Sequence, residues 1–277
     1  MPKNNLFMRC SSMEWSDTFR PDPKKHWVAL KEDGQRMMLF YDNGVKRFIS
    51  ERNIDGKEKY PEIAENLKLK HSIKEVILDG ELVCYVNGKS EFNKILNRNT
   101  NNKFKIKMLR KQGLELTFVV FDILSLNYAS LRHYPLSQRK KYLVNAIEEN
   151  DYIKIAKDWS NNYEGLINKI KSENQEGLII KNKNSIYIGG KRIWTKMKFK
   201  KEIILKMTDY EIHKDNNGVT YHDQENFNRV SVNGQGSKKG IDDIKKHGYC
   251  LVETQYLRKN PSNKLFQPAW KRFGEIK

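Results

Sequence analysis

Short apolar runs broken by polar punctuation recur through residues 1–199, and their length argues for strands rather than helices. Runs at 27–30, 37–41, 45–50, 76–83 and 117–124 are rich in Val, Ile, Phe and Leu. Asp42-Asn43-Gly44 sits between two of them and reads as a hairpin turn, because Asn-Gly accepts the positive φ values a tight turn demands. Pro61 opens a short helical pattern carrying Ile63 and Leu67. A plausible cap at Ser137 starts a helix to Glu148 with Leu143, Val144 and Ile147 on one side, and a second helix covers 163–173. Residues 97–107 are polar and basic and read as a mobile loop. Residues 1–25, with Pro21 and Pro23, read as an irregular lead-in. Beyond Lys200 the texture changes. Apolar runs at 203–207, 230–232 and 249–252 alternate with Asn- and Gly-rich turns at 216–218 and 233–240, the pattern of a small antiparallel barrel. The expectation is an α+β chain of two domains, 1–199 and 200–277.

Charge changes this picture most. In 277 residues there are 52 Lys and Arg against 34 Asp and Glu, a formal charge of +18, so a polyanion is the first partner to consider. Cys10, Cys84 and Cys250 are too few and too far apart for a zinc site or a disulfide framework, which suits an intracellular protein, whether cytoplasmic, nucleoid-associated or viral. No apolar run approaches the ~20 residues a membrane span needs, and the polar start 1–5 does not resemble a signal peptide.

Against this apolar frame a few polar residues stand out. Lys31, in Lys31-Glu32-Asp33-Gly34-Gln35-Arg36, lies at the junction of two strands. A lysine is a nucleophile only when unprotonated, and burial or neighbouring cations would push the proton off; a simple polar turn would look the same. Asp79 and Glu81 are two apart within an apolar strand and so share a face, as do Lys196 and Lys198. Charges placed among core residues are costly unless paired or bound to metal, although a wet edge strand would also carry them. Glu176 immediately precedes the run 178–180, and Phe121 sits beside Asp122 in another buried-looking strand.

In order along the chain, Lys31-x-Asp33-Gly34-x-Arg36, Ser50-Glu51-Arg52, Asp79-Gly80-Glu81-Leu82, Phe121-Asp122-Ile123-Leu124, Glu176-Gly177 and Lys196-Met197-Lys198 resemble the motifs of covalent nucleotidyltransferases, most closely ATP-dependent DNA ligases. Ser90-Glu91-Phe92 with Leu96 and Arg98, and Tyr134-Pro135-Leu136 with Arg139, resemble segments of minimal bacterial ligases, especially the ligase domain of ligase D. The resemblance implies a nucleotidyltransferase domain, ATP-grasp-like in its antiparallel sheets and helices, followed by an all-β OB-fold. It implies a monomer that seals 5′-phosphate/3′-hydroxyl nicks in duplex DNA using ATP.

Lys31 would carry the adenylate, with Asp33, Lys196 and Lys198 assisting the chemistry. Arg36, Glu81 and Phe121 would contact the nucleotide, the last by stacking. Arg36 and Arg52 would hold nucleic-acid phosphate, and Glu81 and Glu176 would hold Mg²⁺ or Mn²⁺. Three positions depart from the family pattern. Ala29 stands where a glutamate is common, and Phe266 and Gly274 stand where arginines are common, leaving Lys264, Lys271, Arg272 or Lys277 to orient pyrophosphate. An RNA ligase, a GTP-dependent mRNA guanylyltransferase and a non-catalytic basic binding module are the alternatives.

Overall fold

The structure is a computed structural model describing residues 6–52, 55–56, 59–70, 72–214, 217–224, 227–260 and 262–276. The start 1–5, Asn216 in the first expected turn and Lys277 lie outside the described residues. The chain divides into two compact units, Met1–Phe199 and Lys200–Lys277.

In the first unit the elements run β1 (Arg9–Met13), β2 (His26–Leu30), β3 (Gln35–Asp42), β4 (Val45–Ser50), α1 (Pro61–Asn66), β5 (Glu75–Val83), α2 (Phe92–Arg98), α3 (Lys103–Lys111), β6 (Thr117–Leu126), α4 (Leu136–Ala146), β7 (Ile153–Ile155), α5 (Tyr163–Ser172), β8 (Gly177–Asn182) and β9 (Arg192–Lys198). They build two main sheets. The larger has β6-β5-β3-β4 as antiparallel neighbours, with β7 joining β6 in parallel. The smaller has the order β1-β9-β8-β2, antiparallel except for β1, which runs parallel to β9.

Both sheets are covered on both faces, which is why their strands read as continuous apolar runs rather than alternating ones. In β3, Met37 and Leu39 point into a core shared with Ile63 of α1, Ile95 of α2 and Leu143 of α4. Met38 points the other way, into a core with Leu124 of β6 and Trp194 of β9 that glues the two sheets together. Behind the smaller sheet, Leu178, Ile180 and Met197 pack on Leu166 and Ile170 of α5. The resulting order is helices, large sheet, small sheet, helix.

Three expectations change. The lead-in is part of the fold: Phe7 and Met8 are buried, β1 pairs with β9, and Trp15 packs against Phe199 with ring centroids 5.0 Å apart. The polar stretch 97–107 is not a loop throughout, because Asn102 accepts a hydrogen bond from the Lys105 amide and starts α3, which buries Ile106. The helix expected from Ser137 to Glu148 begins at Leu136 and ends at Ala146. Ile147–Glu148 pairs instead with Lys68–Leu69, and Val144 is exposed.

In the second unit, β10 (Lys201–Met207), β14 (Cys250–Tyr256) and β15 (Ala269–Phe273) form one three-stranded sheet. β11 (Asp209–Ile212), β12 (Gly218–His222) and β13 (Arg229–Asn233) form another. Met207, Tyr221, Val230 and Val252 join both in one core. The unit is not made of strands alone: α6 (Lys239–His247) begins inside the expected turn region 233–240 and ends at Gly248 in the left-handed conformation. Here Lys271 bonds Glu202 (2.7 Å) and Glu253 (2.9 Å), and Arg272 also bonds Glu253, so acids already engage both cations.

Asp122 of β6 and Arg139 of α4, both fully buried, form a two-pronged pair at 2.8 and 2.7 Å, and Arg139 also donates to the carbonyls of Tyr134 and Ser185. Replacing either alone strands the other charge, so Asp122→Ala is expected to cost about 3–5 kcal/mol. Asp122→Leu combined with Arg139→Met should cost less than either single change, with both read by urea unfolding.

Candidate active site

The segment Lys31–Gly34 is the crossing from β2 of the small sheet to β3 of the large one, and the cleft it spans is a cavity of ≈ 790 Å³. That is ample for a nucleotide-sized ligand. The crossing is gripped at both ends. The Lys31 amide donates to the Gly177 carbonyl at 2.9 Å. Gly177, with φ of +144°, lies so close to β9 that an added Cβ would sit 2.1 Å from the Met197 carbonyl oxygen. At the other end a Cβ on Gly34 would sit 2.5 Å from Glu81 Cγ and 2.6 Å from the Leu82 carbonyl oxygen. Both motif glycines are therefore required by close approach.

This geometry brings Lys31 to Glu176. Lys31 Nζ donates to Glu176 Oε2 at 2.6 Å, while Lys198 Nζ lies 3.2 Å from Oε1, so one carboxylate is shared by two ammonium groups. Glu176 is only 9% exposed. Met197 is buried in the core behind the sheet, so Lys196 and Lys198 share the opposite face, and Lys196 lines the cavity.

Protonation departs from the expectation of a bare amine. Burial pushes the Lys31 pKa down, but the carboxylates of Glu176, Glu81 and Asp33 outweigh it and hold the pKa above the ordinary lysine value. Lys198 is shifted the other way, lowered by burial and by the neighbouring charges of Lys31 and Lys196 against the pull of Glu176. Glu81, on β5, is pushed up to about 8, first by burial and then by Glu176 and Glu51, against the lowering effect of Lys31 and Arg36.

Asp79 and Glu81 share a face as expected but play different parts. Arg36 donates to both oxygens of Asp79 at 3.1 and 2.7 Å and to the Met8 carbonyl at 2.6 Å, and Tyr187 donates to Asp79 at 2.6 Å. The Arg36 guanidinium also lies 5.3 Å from the ring centroids of Phe7 and Phe121. It lines the cavity while held in a structural clamp. Asp33 fastens the neighbouring segment: its amide donates to Ser90 Oγ at 3.0 Å and its carboxylate accepts from the Phe92 amide at 3.4 Å. Half-buried Phe121 meets Trp194 edge-on at 5.8 Å, and exposed Arg52 lines the cavity beside Glu51.

Glu81 and Glu176 are hard oxygen donors near Lys31. Among the described residues no group of three or more His, Cys, Asp or Glu side chains could hold a metal unaided. A carboxyl kept from ionising by burial and a carboxylate already among cations fit a dication shared with ligand phosphates, the usual habit of Mg²⁺, better than an all-protein cage.

Sequence reasoning passed over several lining residues. Phe7 and Cys10 come from the supposed lead-in, where the apolar triplet Leu6-Phe7-Met8 was the available signal. Lys181, 2% exposed and bonded to Asp158 at 2.9 Å, lies 5.1 Å from the Trp194 ring. Lys154 and Lys157 had no signal in a chain so rich in lysine.

Fold and site together define a protein able to hold a phosphorylated ligand between two sheets with a lysine amine at its centre. The chain belongs to the ATP-dependent DNA ligase family, whose model, described as ATP dependent DNA ligase domain, matches residues 8–200. It is 28% identical over 195 residues to DNA ligase 1 of Methanosarcina barkeri, covering 65% of this chain and 35% of that protein. It is 34% identical over 179 residues to the DNA ligase of Archaeoglobus fulgidus, covering 62% and 31%. The chain thus spans about a third of the length of these curated relatives. Among solved structures, mycobacterial DNA ligase D complexed with ATP and MES matches with a TM-score of 0.56 at 17% identity over 99% of this chain and 97% of that one. A structure from work on minimal-scaffold Lig E DNA ligases matches with a TM-score of 0.64 at 13% identity over 97% and 99%. At these identities the structural likeness shows the fold alone.

Glu81 supplies a pH test. Its folded-state pKa of about 8 lies above the ordinary value of 4.5, so between those pH values the folded protein keeps a proton that the unfolded chain releases, and stability falls as pH rises. Glu81→Gln removes that loss. The variant should melt above the unsubstituted protein at pH 8, and the gap should close towards pH 4.5, as followed by circular dichroism.

Proposed function

We propose that this chain is an ATP-dependent polynucleotide ligase that seals 5′-phosphate/3′-hydroxyl nicks in duplex DNA. The observation that carries the reading is Lys31 Nζ at 2.6 Å from Glu176, in a cleft that Glu81 and Lys196 also line, with Lys198 3.2 Å from the other oxygen of Glu176. Family membership and the net charge of +18 support it.

In the first step the Lys31 amine attacks the α-phosphorus of ATP. A P–N bond forms, the bond to the bridging oxygen breaks, and pyrophosphate leaves with the electron pair. The amine must first lose its proton, and Glu176, the nearest carboxylate, is what holds that proton in place. A cation that engages Glu176 weakens this hold. Lys196 and Lys198 face the site and neutralise charge gathering on phosphate oxygens. Phe121 offers a ring to the base, while Asp33 positions the Lys31 crossing through Ser90 and Phe92. Glu81 and Glu176 would hold Mg²⁺ or Mn²⁺, which when bound supplies further neutralisation of phosphate charge. In the second step AMP passes from Lys31 to the 5′-phosphate of the nick, with Arg52 presenting its guanidinium to that phosphate and Arg36 completing the wall. In the third the 3′-hydroxyl attacks the activated phosphate, AMP leaves and the phosphodiester forms.

The second unit reads as an OB-fold. Two three-stranded antiparallel sheets share one core, and the likeness to ligase structures runs over 97–99% of the chain. Nothing in this reading needs more than one copy of the chain.

Incubation with α-labelled ATP and Mg²⁺, then with nicked duplex DNA, tests the proposal. Label should become bound to the protein through a P–N bond that survives denaturation and alkali but not hot acid, and on addition of nicked DNA it should leave the protein and be released as AMP as the strand is sealed. Lys31→Ala should reduce labelling to background, and undiminished labelling would refute the nucleophile assignment. Arg52→Ala should leave labelling intact and slow sealing about 10²-fold, the usual effect of deleting one donor to developing charge.

A further inference from the structure

We propose that the outward face of α3, with the adjoining tip of α2, is a contact surface for duplex DNA. The inference takes its partner from the ligase reading. Lys103, Lys107 and Lys111 recur at four-residue spacing and form one row along α3, while Phe104 and Met108 form the next row round. Phe104 is 74% exposed, Met108 43% and the neighbouring Leu96 of α2 54%. Ile106 alone of the helix is fully buried.

The distribution of partners is what marks this face. Arg110, turned inward, has Glu65 at 3.9 Å and Glu115 at 3.3 Å. Exposed Lys103, Lys105, Lys107 and Lys111 make no ion pair among the described residues. Acids are thus within reach of the helix, yet they gather on its inner flank. Like charges four residues apart repel one another, a cost that a polyanion relieves. The three lysines climb about 6 Å per step along a rigid rod, a regular array suited to the regular phosphates of a nucleic-acid strand. An aromatic ring and a thioether beside them suit the sugar edges of a groove. A membrane is the poorer occupant, because Ile106 and Leu109, the other apolar side chains of α3, are buried or half-buried in the fold.

The surface is firmly mounted. Arg98, at the end of α2 and fully buried, bonds Glu62 of α1 and the Leu114 carbonyl beyond α3. The start of α2 is tied to the Lys31 crossing through the Phe92 amide and Asp33. With residues 92–98 and 103–104 helical, the chain keeps Phe104 within roughly 30 Å of Phe92, less than one turn of B-DNA, so a duplex centred on the cleft extends far enough to meet it.

The test is equilibrium binding of the full chain to a 5′-phosphorylated nicked duplex in EDTA, followed by fluorescence anisotropy from about 50 to 200 mM salt. The triple variant Lys103→Gln/Lys107→Gln/Lys111→Gln should flatten the slope of log K against log salt by about 2–3, since each released contact is worth ~0.9. Phe104→Ser should weaken binding at every salt concentration and leave the slope alone. Both variants should self-label with ATP like the unsubstituted protein. An unchanged slope and affinity in the triple variant overturns the proposal, as does an unchanged slope accompanied by lost binding to phosphatidylserine vesicles. A flattened slope in a protein that never self-labels keeps the surface and removes the ligase reading instead.

Discussion

The cleft depends on one buried carboxylate. Asp79 is fully shielded from solvent and accepts hydrogen bonds from Arg36 on β3 and from Tyr187 in the connection between β8 and β9. Arg36 and Tyr187 in turn take up both backbone groups of Met8, the carbonyl at 2.6 Å and the amide at 2.9 Å. One polar lattice thus ties the large sheet, the small sheet and the N-terminal segment at the floor of the site. A buried charge pair of this kind contributes little net stability compared with apolar packing, but it demands one arrangement, because each partner left alone would be a stranded charge. The sheets are held at a defined spacing as a result, and the cavity between them is preformed.

Above that floor the electrostatics are set by scarcity of negative charge. Glu176 is asked to balance Lys31 and Lys198 together, and Glu81, desolvated, is pushed up to about 8 rather than supplying a full second charge at neutral pH. A cleft arranged in this way is short of anions until a polyphosphate enters. The Lys31 proton stays in place all the same, because burial, the largest single influence, is outweighed only by Glu176, Glu81 and Asp33 acting together.

Much of the first unit was legible because its strands are buried on both faces and announce themselves as unbroken apolar runs; β3, β5 and β6 fall where 37–41, 76–83 and 117–124 place them. The parallel pairing of β1 with β9 was not, since its partners lie more than 180 residues apart and a five-residue strand carries no mark of its neighbour. α3 was hidden for a different reason: its lysines and asparagines look like a solvated loop, and its helical character shows only once Ile106 finds the core. In the site, residue types and order were readable from resemblance, but roles within it were not. Nothing in the spacing shows that Arg36 is committed to Asp79, that Asp33 fastens residues 90–92, or that Lys31 keeps its proton. Those outcomes follow from three-dimensional competition among charges.

The crossing at residues 31–34 leaves one sheet and enters the other, and both ends are pinned by glycine contacts that no larger residue could share. The Lys31 amine therefore rides on the mechanical joint between the two layers. Spacing of the layers and placement of that amine are coupled, so a substitution that splays the sheets, however remote, also shifts Lys31 relative to Glu176.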